Sequence, residues 1–370
     1  MSDESDVIQA RLVKFIQQYK EGKSSEYEVD FNQLAMSVFD YQFQNNLPYK
    51  KFAQLKHKNP LTVKNWQDLP LIPIEAYKQL TLSTRDTTQA EDVFYSSGTT
   101  NAQQKSRHYI SDLRVWEQSM IAGFKQYVIP TKEKITIFSL FPDMSSHPNS
   151  SLSRYITTAM QVFGTENSQV FFKHNQLDYV NLISALKQAQ ANHEQVLVLG
   201  ASFSYVHLLA YFDQHPQTFD LAEGSIIFDT GGFKGQSQEV SMSTLYKNLG
   251  QVFNVSREQI INMYGMTEIS SQCYDRNLID LSQNQSTYFD KMPPAWVKIQ
   301  ILDVETLQPI EQGKRGLLAY YDLANWDTCL AILTEDIAIQ NEHGFTIIGR
   351  AKGSEAKGCS IAVDELLKVR

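Results

Sequence analysis

Leu12, Phe15, Ile16 and Tyr19, and then Phe31, Leu34, Ala35 and Val38, recur at intervals of three and four, so the first fifty residues predict two amphipathic helices. Pro48, Pro60, Pro70 and Pro73 punctuate the next stretch and exclude a long helix there. From about residue 94 the pattern changes to short apolar runs, Ile135 to Phe141, Val170 to Phe172, Val196 to Leu199 and Ser225 to Phe228, separated by helical stretches. Runs of that kind predict buried strands joined by βαβ crossovers. After about residue 290 the runs crowd together (Trp296 to Leu302, Gly316 to Tyr321, Cys329 to Leu333, Phe345 to Ile348), with a turn signal at Glu342-His343-Gly344. The expected fold class is α/β: a helical start and α/β body over 1–290, a mostly antiparallel β-rich subdomain of that body over 291–348, and a short tail over 349–370.

The 370 residues carry 33 Lys+Arg against 41 Asp+Glu, a net charge of −8, and 42% are hydrophobic. This is an ordinary globular composition with enough chain for a core and a cleft. The acidic balance removes any general attraction for nucleic acid or anionic membrane, so an anionic ligand must be met locally. Cys273, Cys329 and Cys359 are too scattered for a disulfide framework or a CxxC zinc site. The start, Met1-Ser2-Asp3-Glu4-Ser5-Asp6, lacks a signal-peptide pattern, and no apolar run approaches the ~18 residues of a membrane span. The expectation is a cytoplasmic protein.

Several segments offer chemistry. Tyr95-Ser96-Ser97-Gly98-Thr99-Thr100-Asn101, followed by Lys105-Ser106-Arg107-His108, sets four hydroxyls around one glycine, a composition suited to a phosphate and equally to a polar turn. It does not match GxxxxGK[ST]. Met263-Tyr264-Gly265-Met266-Thr267-Glu268 ends in a carboxylate flanked by the hydroxyls of Thr267, Ser270 and Ser271; such a Glu suits Mg²⁺ or simply solvent. Asp229-Thr230-Gly231-Gly232 runs a strand into paired glycines, where a flat ligand or a turn fits. Leu333-Thr334-Glu335-Asp336 and Gly349-Arg350 through Cys359-Ser360 complete the set.

In order and spacing these segments resemble the adenylate-forming superfamily of acyl-CoA synthetases, adenylation domains and luciferases. The Tyr95–Thr100 and Lys105–His108 segments, Tyr264 to Glu268 with Ser270-Ser271-Gln272, and Gly349 to Glu355 through Cys359 look like the LuxE acyl-protein synthetase family. The resemblance spans roughly residues 70 to 367. It implies an ATP- and Mg²⁺-dependent ligase that activates a long-chain fatty acid as acyl-AMP, transfers the acyl group to a cysteine, and delivers it to a partner acyl reductase for aldehyde production. Ser96, Ser97, Gly98, Thr99, Thr100 and Lys105 would surround the β- and γ-phosphates, with Asn101 where glycine is usual. Gly231 and Gly232 would lie against the adenine and Tyr264 would pack on it. Thr267 would contact the α-phosphate, Glu268 would hold Mg²⁺, Asp336 would bind both ribose hydroxyls, and Arg350 would meet ribose or phosphate. Glu335 replaces the glycine usual before that aspartate.

The same resemblance implies that Cys359 is the acyl acceptor. It lies nine residues past Arg350, a reach of about 30 Å if extended, and neighbouring Lys352 and Lys357 would lower its pKa if close. Superfamily members commonly continue about a hundred residues further and supply a lysine from that lid; the expectation here is a largely missing lid, and Lys352 and Lys357 each read as a solvated surface lysine or as a substitute for the missing one. Cys273 and Cys329 read as structural. Other readings stay open. Gly200-Ala201-Ser202-Phe203-Ser204 nearly makes a GxSxG elbow, although a turn capped by Ser202 explains it, and His174 to Asp178 resembles HxxxD; both point to a serine thioesterase or acyltransferase. An acyl- or aryl-CoA ligase shares the first half-reaction, and a non-catalytic nucleotide-binding subunit is the remaining alternative. Phe171, Phe172, Phe203, Tyr205, Tyr211 and Phe212 fit an acyl tunnel or plain core.

Overall fold

The computed structural model describes residues 4–18, 24–96, 105–173, 176–231 and 241–351. They form two compact units. One comprises the described residues of Met1–Ala122, Met266–Gln272 and Met292–Arg370; the other comprises those of Gly123–Gly265 and Cys273–Lys291.

The first unit opens with the two expected helices, Glu4–Gln18 and Ser24–Asn45, and their periodic residues from Leu12 to Ile16 and Phe31 to Val38 are buried. A third helix, Leu47–Leu55, begins where only a break was expected: Asn46 caps it by accepting from the Tyr49 N–H at 3.2 Å, and Pro48 sits in the first turn, where its missing N–H costs nothing. Asp92–Tyr95 and Arg107–Ile110 form an antiparallel hairpin that the hydrophobic pattern did not predict. The late strands are antiparallel as expected: Val297–Leu302, Arg315–Asp322, Ala331–Asn341 and Gly344–Arg350 pair in sequence, and Ile72–Pro73 adds in parallel to the third.

The second unit is a parallel sheet with the strands Gln169–Val170, Thr136–Ser139, Val196–Ala201, Ile226–Thr230 and Ile260–Tyr264 in that spatial order, closed by antiparallel Cys273–Asp275. In chain order the five parallel strands run 2-1-3-4-5, an arrangement whose ligands meet the carboxyl ends of the strands. Helices Ser151–Phe163, Tyr179–Ala191, Ser202–Gln214 and Met242–Phe253 make the crossovers. Three have side-chain caps, from Ser150, Asp178 and Ser241. The expected strand Val170 to Phe172 is split. Phe171 donates its N–H to Ser139 and is buried, while Phe172–Lys173 turns off into a hairpin with Gln176–Leu177.

Phe171, Tyr205 and Phe212 pack into the core with Leu249, Phe253 and Ile260, so these aromatics are core residues. Tyr211 stacks between Tyr179 at 4.0 Å and His215 at 4.3 Å. Leu249→Ala, at a fully buried site, is expected to destabilise the protein by about 2–5 kcal/mol, whereas Val180→Ala, 74% exposed, should change it by less than about 0.5 kcal/mol. Denaturant unfolding of both variants checks this, and equal effects would contradict the assigned core.

Candidate functional site

The hydroxyl-rich segment joins the two strands of the hairpin. Tyr95 pairs with Arg107, and beyond that pair Ser96 N–H donates to the Ser106 carbonyl at 3.2 Å while Ser106 N–H donates to Ser96 Oγ at 3.0 Å. The two ends of the candidate phosphate loop are thereby clasped together. Lys105 is exposed. Ser97, Gly98, Thr99, Thr100 and Asn101 lie outside the described residues.

His108, on the returning strand, is fully buried. Its Nδ1 lies 2.7 Å from the Thr267 carbonyl and its Nε2 lies 3.3 Å from Thr328 Oγ1. A carbonyl only accepts, so Nδ1 carries the proton and Nε2 accepts from Thr328. Tyr77 and Phe94 present ring edges to the imidazole. Burial lowers its pKa to about 4, against the opposing pull of the Thr267 bond. The ring is therefore a neutral strut between the hairpin and the segment carrying Thr267 and Glu268.

That segment, Met266–Gln272, is neither helix nor strand, and other groups satisfy its backbone. Asp322 accepts from Ser270 N–H at 3.1 Å, Ser271 N–H at 2.7 Å and Ser271 Oγ at 2.6 Å. Asn325 accepts from Ser270 N–H at 2.8 Å and donates to the Glu268 carbonyl at 3.0 Å. Trp296 Nε1 donates to Ser119 Oγ at 2.8 Å and reaches Ser271 Oγ at 3.1 Å. Gln42, from the second helix, donates to the carbonyls of Asn325 and Trp326 and accepts from Leu330 N–H, fixing the turn that carries Asn325. Burial raises Asp322 to about 6 while its donors pull the other way. Glu268 itself is only 8% exposed. Among the described residues no three His, Cys, Asp or Glu side chains gather to hold a metal. A lone carboxylate suits Mg²⁺, which keeps water and substrate oxygens for most of its shell.

Farther along this unit Asp336 lies opposite Arg350 in the ladder, with Arg350 Nε 3.6 Å from Asp336 Oδ1.

In the second unit the candidate glycines follow the strand Ile226–Thr230. Gly231 has φ +76°, a left-handed conformation that a side chain resists, and a Cβ there would meet open space. Buried Asp229 organises this strand end: it accepts from Ser202 Oγ at 2.8 Å, Tyr246 OH at 2.9 Å and Asn262 Nδ2 at 2.9 Å, and Ser202 Oγ lies 3.2 Å from the Gly231 carbonyl. Burial raises Asp229 to about 7. Thr230 Oγ1 donates to the Met263 carbonyl, linking this strand to the neighbour that ends at Tyr264. Gly231 and Tyr264 thus follow or end adjacent parallel strands at their carboxyl ends. Gly232 lies outside the described residues.

Ser202 is buried and bonded directly to a carboxylate, with no imidazole between them, so it is not the nucleophile of an elbow. Nor does it cap its helix. Ala201 is the N-cap, because the hydroxyl is committed to Asp229. Asp178 caps the helix Tyr179–Ala191; His174 lies outside the described residues. Cys273 and Cys329 are buried free thiols, and burial pushes Cys329 well above the usual thiol pKa. Cys359, Lys352 and Lys357 lie outside the described residues. Sequence reasoning gave no role to His108, Asp322, Asn325, Gln42 or Asp229. The available signal was polar residues inside apolar stretches, such as Asp322 and Asn325 between Leu317 and Leu333.

The description "Acyl-protein synthetase, LuxE" matches residues 17–368. The chain belongs to the LuxE acyl-protein synthetase family. Like that family, it is a ligase. A relative from Vibrio harveyi, named long-chain-fatty-acid--luciferin-component ligase, is 23% identical over 344 residues, covering 90% of this chain and 87% of its own length. One of the same name from Aliivibrio fischeri is 21% identical over 349 residues, covering 91% and 88%. Among solved structures, an open conformation of 2-hydroxyisobutyryl-CoA ligase with 2-HIB-AMP and CoA has a TM-score of 0.64 at 11% identity, over 90% of this chain and 75% of that one. ATP-bound MatB from Rhodopseudomonas palustris gives 0.50 at 14% identity, over 72% of this chain and 49% of MatB, so the match spans about half of MatB. At such identities the likeness is one of fold, that of the adenylate-forming ligases, and it agrees with the α/β class expected from the sequence.

The neutral His108 of this LuxE-family chain has a pH signature. Its folded pKa, about 4, lies below its ordinary 6.5, so the unfolded chain takes up a proton that the folded one refuses, and stability falls as pH drops through that window. Asp322 and Asp327, raised to about 6, and Asp229, raised to about 7, act oppositely: their contribution is present at low pH and lost as pH rises through those values. Comparing wild type with His108→Gln cancels the carboxyl contributions. Between pH 7 and 4 the wild type should lose about 3 kcal/mol more than the variant. Parallel curves would refute a neutral buried imidazole.

Proposed function

We propose that this protein uses ATP to convert a long-chain fatty acid into an acyl-adenylate and passes the acyl group to the thiol of Cys359, from which a partner acyl reductase receives it. The observation that carries the reading is the 2.7 Å contact from His108 to Thr267. It binds the hairpin bearing the hydroxyl-rich loop to the segment bearing Glu268, the two groups that phosphate chemistry requires together. The names of the Vibrio harveyi and Aliivibrio fischeri relatives supply the substrate class.

In this reading the fatty carboxylate oxygen attacks the α-phosphorus, the bond to the β-phosphate oxygen breaks, and pyrophosphate leaves. The barrier comes largely from bringing anionic oxygen to anionic phosphorus. Ser96 to Thr100 and Lys105 orient donors on the β- and γ-phosphates, Thr267 meets the α-phosphate, Gly231, Gly232 and Tyr264 receive the adenine, and Asp336 and Arg350 receive the ribose. Mg²⁺, held through Glu268, would neutralise phosphate charge. The Cys359 thiolate then attacks the acyl carbon, the bond to phosphate breaks, and AMP departs with the electron pair. The tail 349–370 presents that cysteine, and the β-rich stretch 291–348 holds Asp336. A cytoplasmic site of action is part of the reading, resting on composition; no helix among the described residues is long and apolar enough to cross a membrane.

With ATP, Mg²⁺ and labelled myristate the protein should catalyse ATP–pyrophosphate exchange and acquire a hydroxylamine-sensitive label. Cys359→Ser should lose the label and keep the exchange. Glu268→Gln should lower exchange by about 10²–10³-fold, the scale of one lost electrostatic partner in a transition state. Acyl transfer to added CoA without protein labelling would replace the second half of the scheme with an acyl-CoA ligase.

A further inference from the structure

The turn between the strands Arg315–Asp322 and Ala331–Asn341 reaches two consecutive carbonyls of the segment that carries Glu268. Asn325 donates to the Glu268 carbonyl directly. Thr328 reaches the Thr267 carbonyl through His108: its Oγ1 lies 3.3 Å from Nε2, and Nδ1 lies 2.7 Å from the Thr267 oxygen. The direction of this chain is fixed at its far end. A carbonyl only accepts, so Nδ1 holds the ring proton, Nε2 keeps a lone pair, and Thr328 donates to it. The Thr328 oxygen still has lone pairs of its own, and Tyr77 OH donates to it at 3.4 Å. Tyr77, Thr328 and His108 are all fully buried, whereas Thr267 is partly exposed. The four residues form one run of bonds with every proton directed toward the Thr267 carbonyl.

The donor at the head of His108 is itself anchored. Thr328 N–H donates to the Asn325 carbonyl at 3.2 Å, and its carbonyl accepts from Asn46 Nδ2 at 2.9 Å. The preceding residue, Asp327, accepts from Ser111 N–H and Ser111 Oγ, each at 2.7 Å. A ring bonded at one nitrogen can swing about that bond; a ring bonded at both cannot. The shorter bond, to Thr267, holds the ring more strongly, so what the longer one from Thr328 adds is orientation. Without it Nε2 would be a buried acceptor with no donor, which favours any tilt of the ring that finds one. The Thr267 carbonyl would then lose its aim. A carbonyl oxygen is the negative end of the peptide dipole, and one turned toward a phosphate opposes the charge that adenylation gathers there.

We propose that Thr328 is a positioning residue for adenylation: by donating to Nε2 it locks the orientation of the His108 ring, and the locked ring keeps the Thr267 carbonyl turned into the interior and away from the α-phosphate. This rests on the reading of Thr267 as the α-phosphate contact. Thr328 does not touch substrate; it acts through His108, and its contribution is to the chemical step.

Two measurements on the full chain test it. Thr328→Val keeps the shape and removes the hydroxyl, and Thr328→Ala gives the same readings if the valine does not fold. In the NMR spectrum of ¹⁵N-histidine-labelled protein, the His108 signal, assigned by its loss in His108→Gln, should show the proton on Nδ1. Thr328→Val should speed the exchange of that proton with water about tenfold or more, while the Leu318 amide in the paired strand Arg315–Asp322 keeps its protection. In ATP–pyrophosphate exchange the same variant should lose about three- to tenfold in kcat, the scale of one hydrogen bond between neutral groups, with the KM for ATP within about twofold. Thr328→Ser should restore both readings. On a His108→Gln background Thr328→Val should add nothing to the loss of kcat, because the residue it acts through is gone. A wild-type proton on Nε2 overturns the proposal, as does an unchanged kcat in Thr328→Val or an equal loss on both backgrounds. Glu268→Gln separates the two layers. If it leaves ATP–pyrophosphate exchange unchanged, the adenylate reading itself fails; if it lowers that exchange while Thr328→Val is silent, only the positioning role is lost.

Discussion

A backbone segment that is neither helix nor strand cannot enter a protein interior unless something else accepts its N–H groups. Met266–Gln272 carries the acid on which the proposed chemistry turns, and one buried carboxylate, Asp322, takes up two of its N–H groups and one of its hydroxyls. Asn325 shares the Ser270 N–H with it and returns a bond to the Glu268 carbonyl; Gln42 holds the turn from which Asn325 works. His108 closes the arrangement from the opposite direction through Thr267. Each of these partners is interior, where a hydrogen bond is stronger and an unmade one more expensive than at the surface. The result is an irregular segment whose backbone partners are buried side chains, as preorganised electrostatics at the proposed phosphate site would require.

The second unit solves a related problem differently. Its sheet delivers two strand ends side by side, and the chain must then turn sharply at Gly231. Asp229, which accepts from three donors, fixes that turn through Ser202. A carboxylate so placed pays a desolvation penalty that its donors only partly repay, which is why it titrates near neutrality. Both units therefore position proposed ligand-binding residues with buried aspartates that would not themselves touch ligand.

Much of the architecture was legible beforehand, because apolar periodicity records burial directly. The faces of the first two helices, the runs at Val196 and Ser225, and the crowded late strands are all visible as patterns of Leu, Ile, Val and Phe. What escaped notice had weaker local marks. The hairpin Asp92–Tyr95 with Arg107–Ile110 is short and half-polar. The helix at Leu47–Leu55 hides behind a proline that ordinarily signals a break. Candidate ligand groups stood out because hydroxyls cluster around glycine, and resemblance assigned them roles. The supporting side chains did not stand out, because a partner 283 residues away, as Gln42 is from Asn325, leaves no spacing to read.

The division of the chain also bears on how the protein is made. The backbone leaves the first unit after Ala122, returns for Met266–Gln272, leaves again, and comes back at Met292. During synthesis the opening helices emerge long before the strands Val297–Leu302 and Arg315–Asp322 that belong to the same unit. Trp66, which packs on Phe31 of the second helix, meets Tyr321 of the late strands only after about 250 further residues are translated. The second unit has its parallel strands in hand by Tyr264 and its last residue, Lys291, before the strands from Val297 onward have been made. The unit begun first is thus the last to be finished.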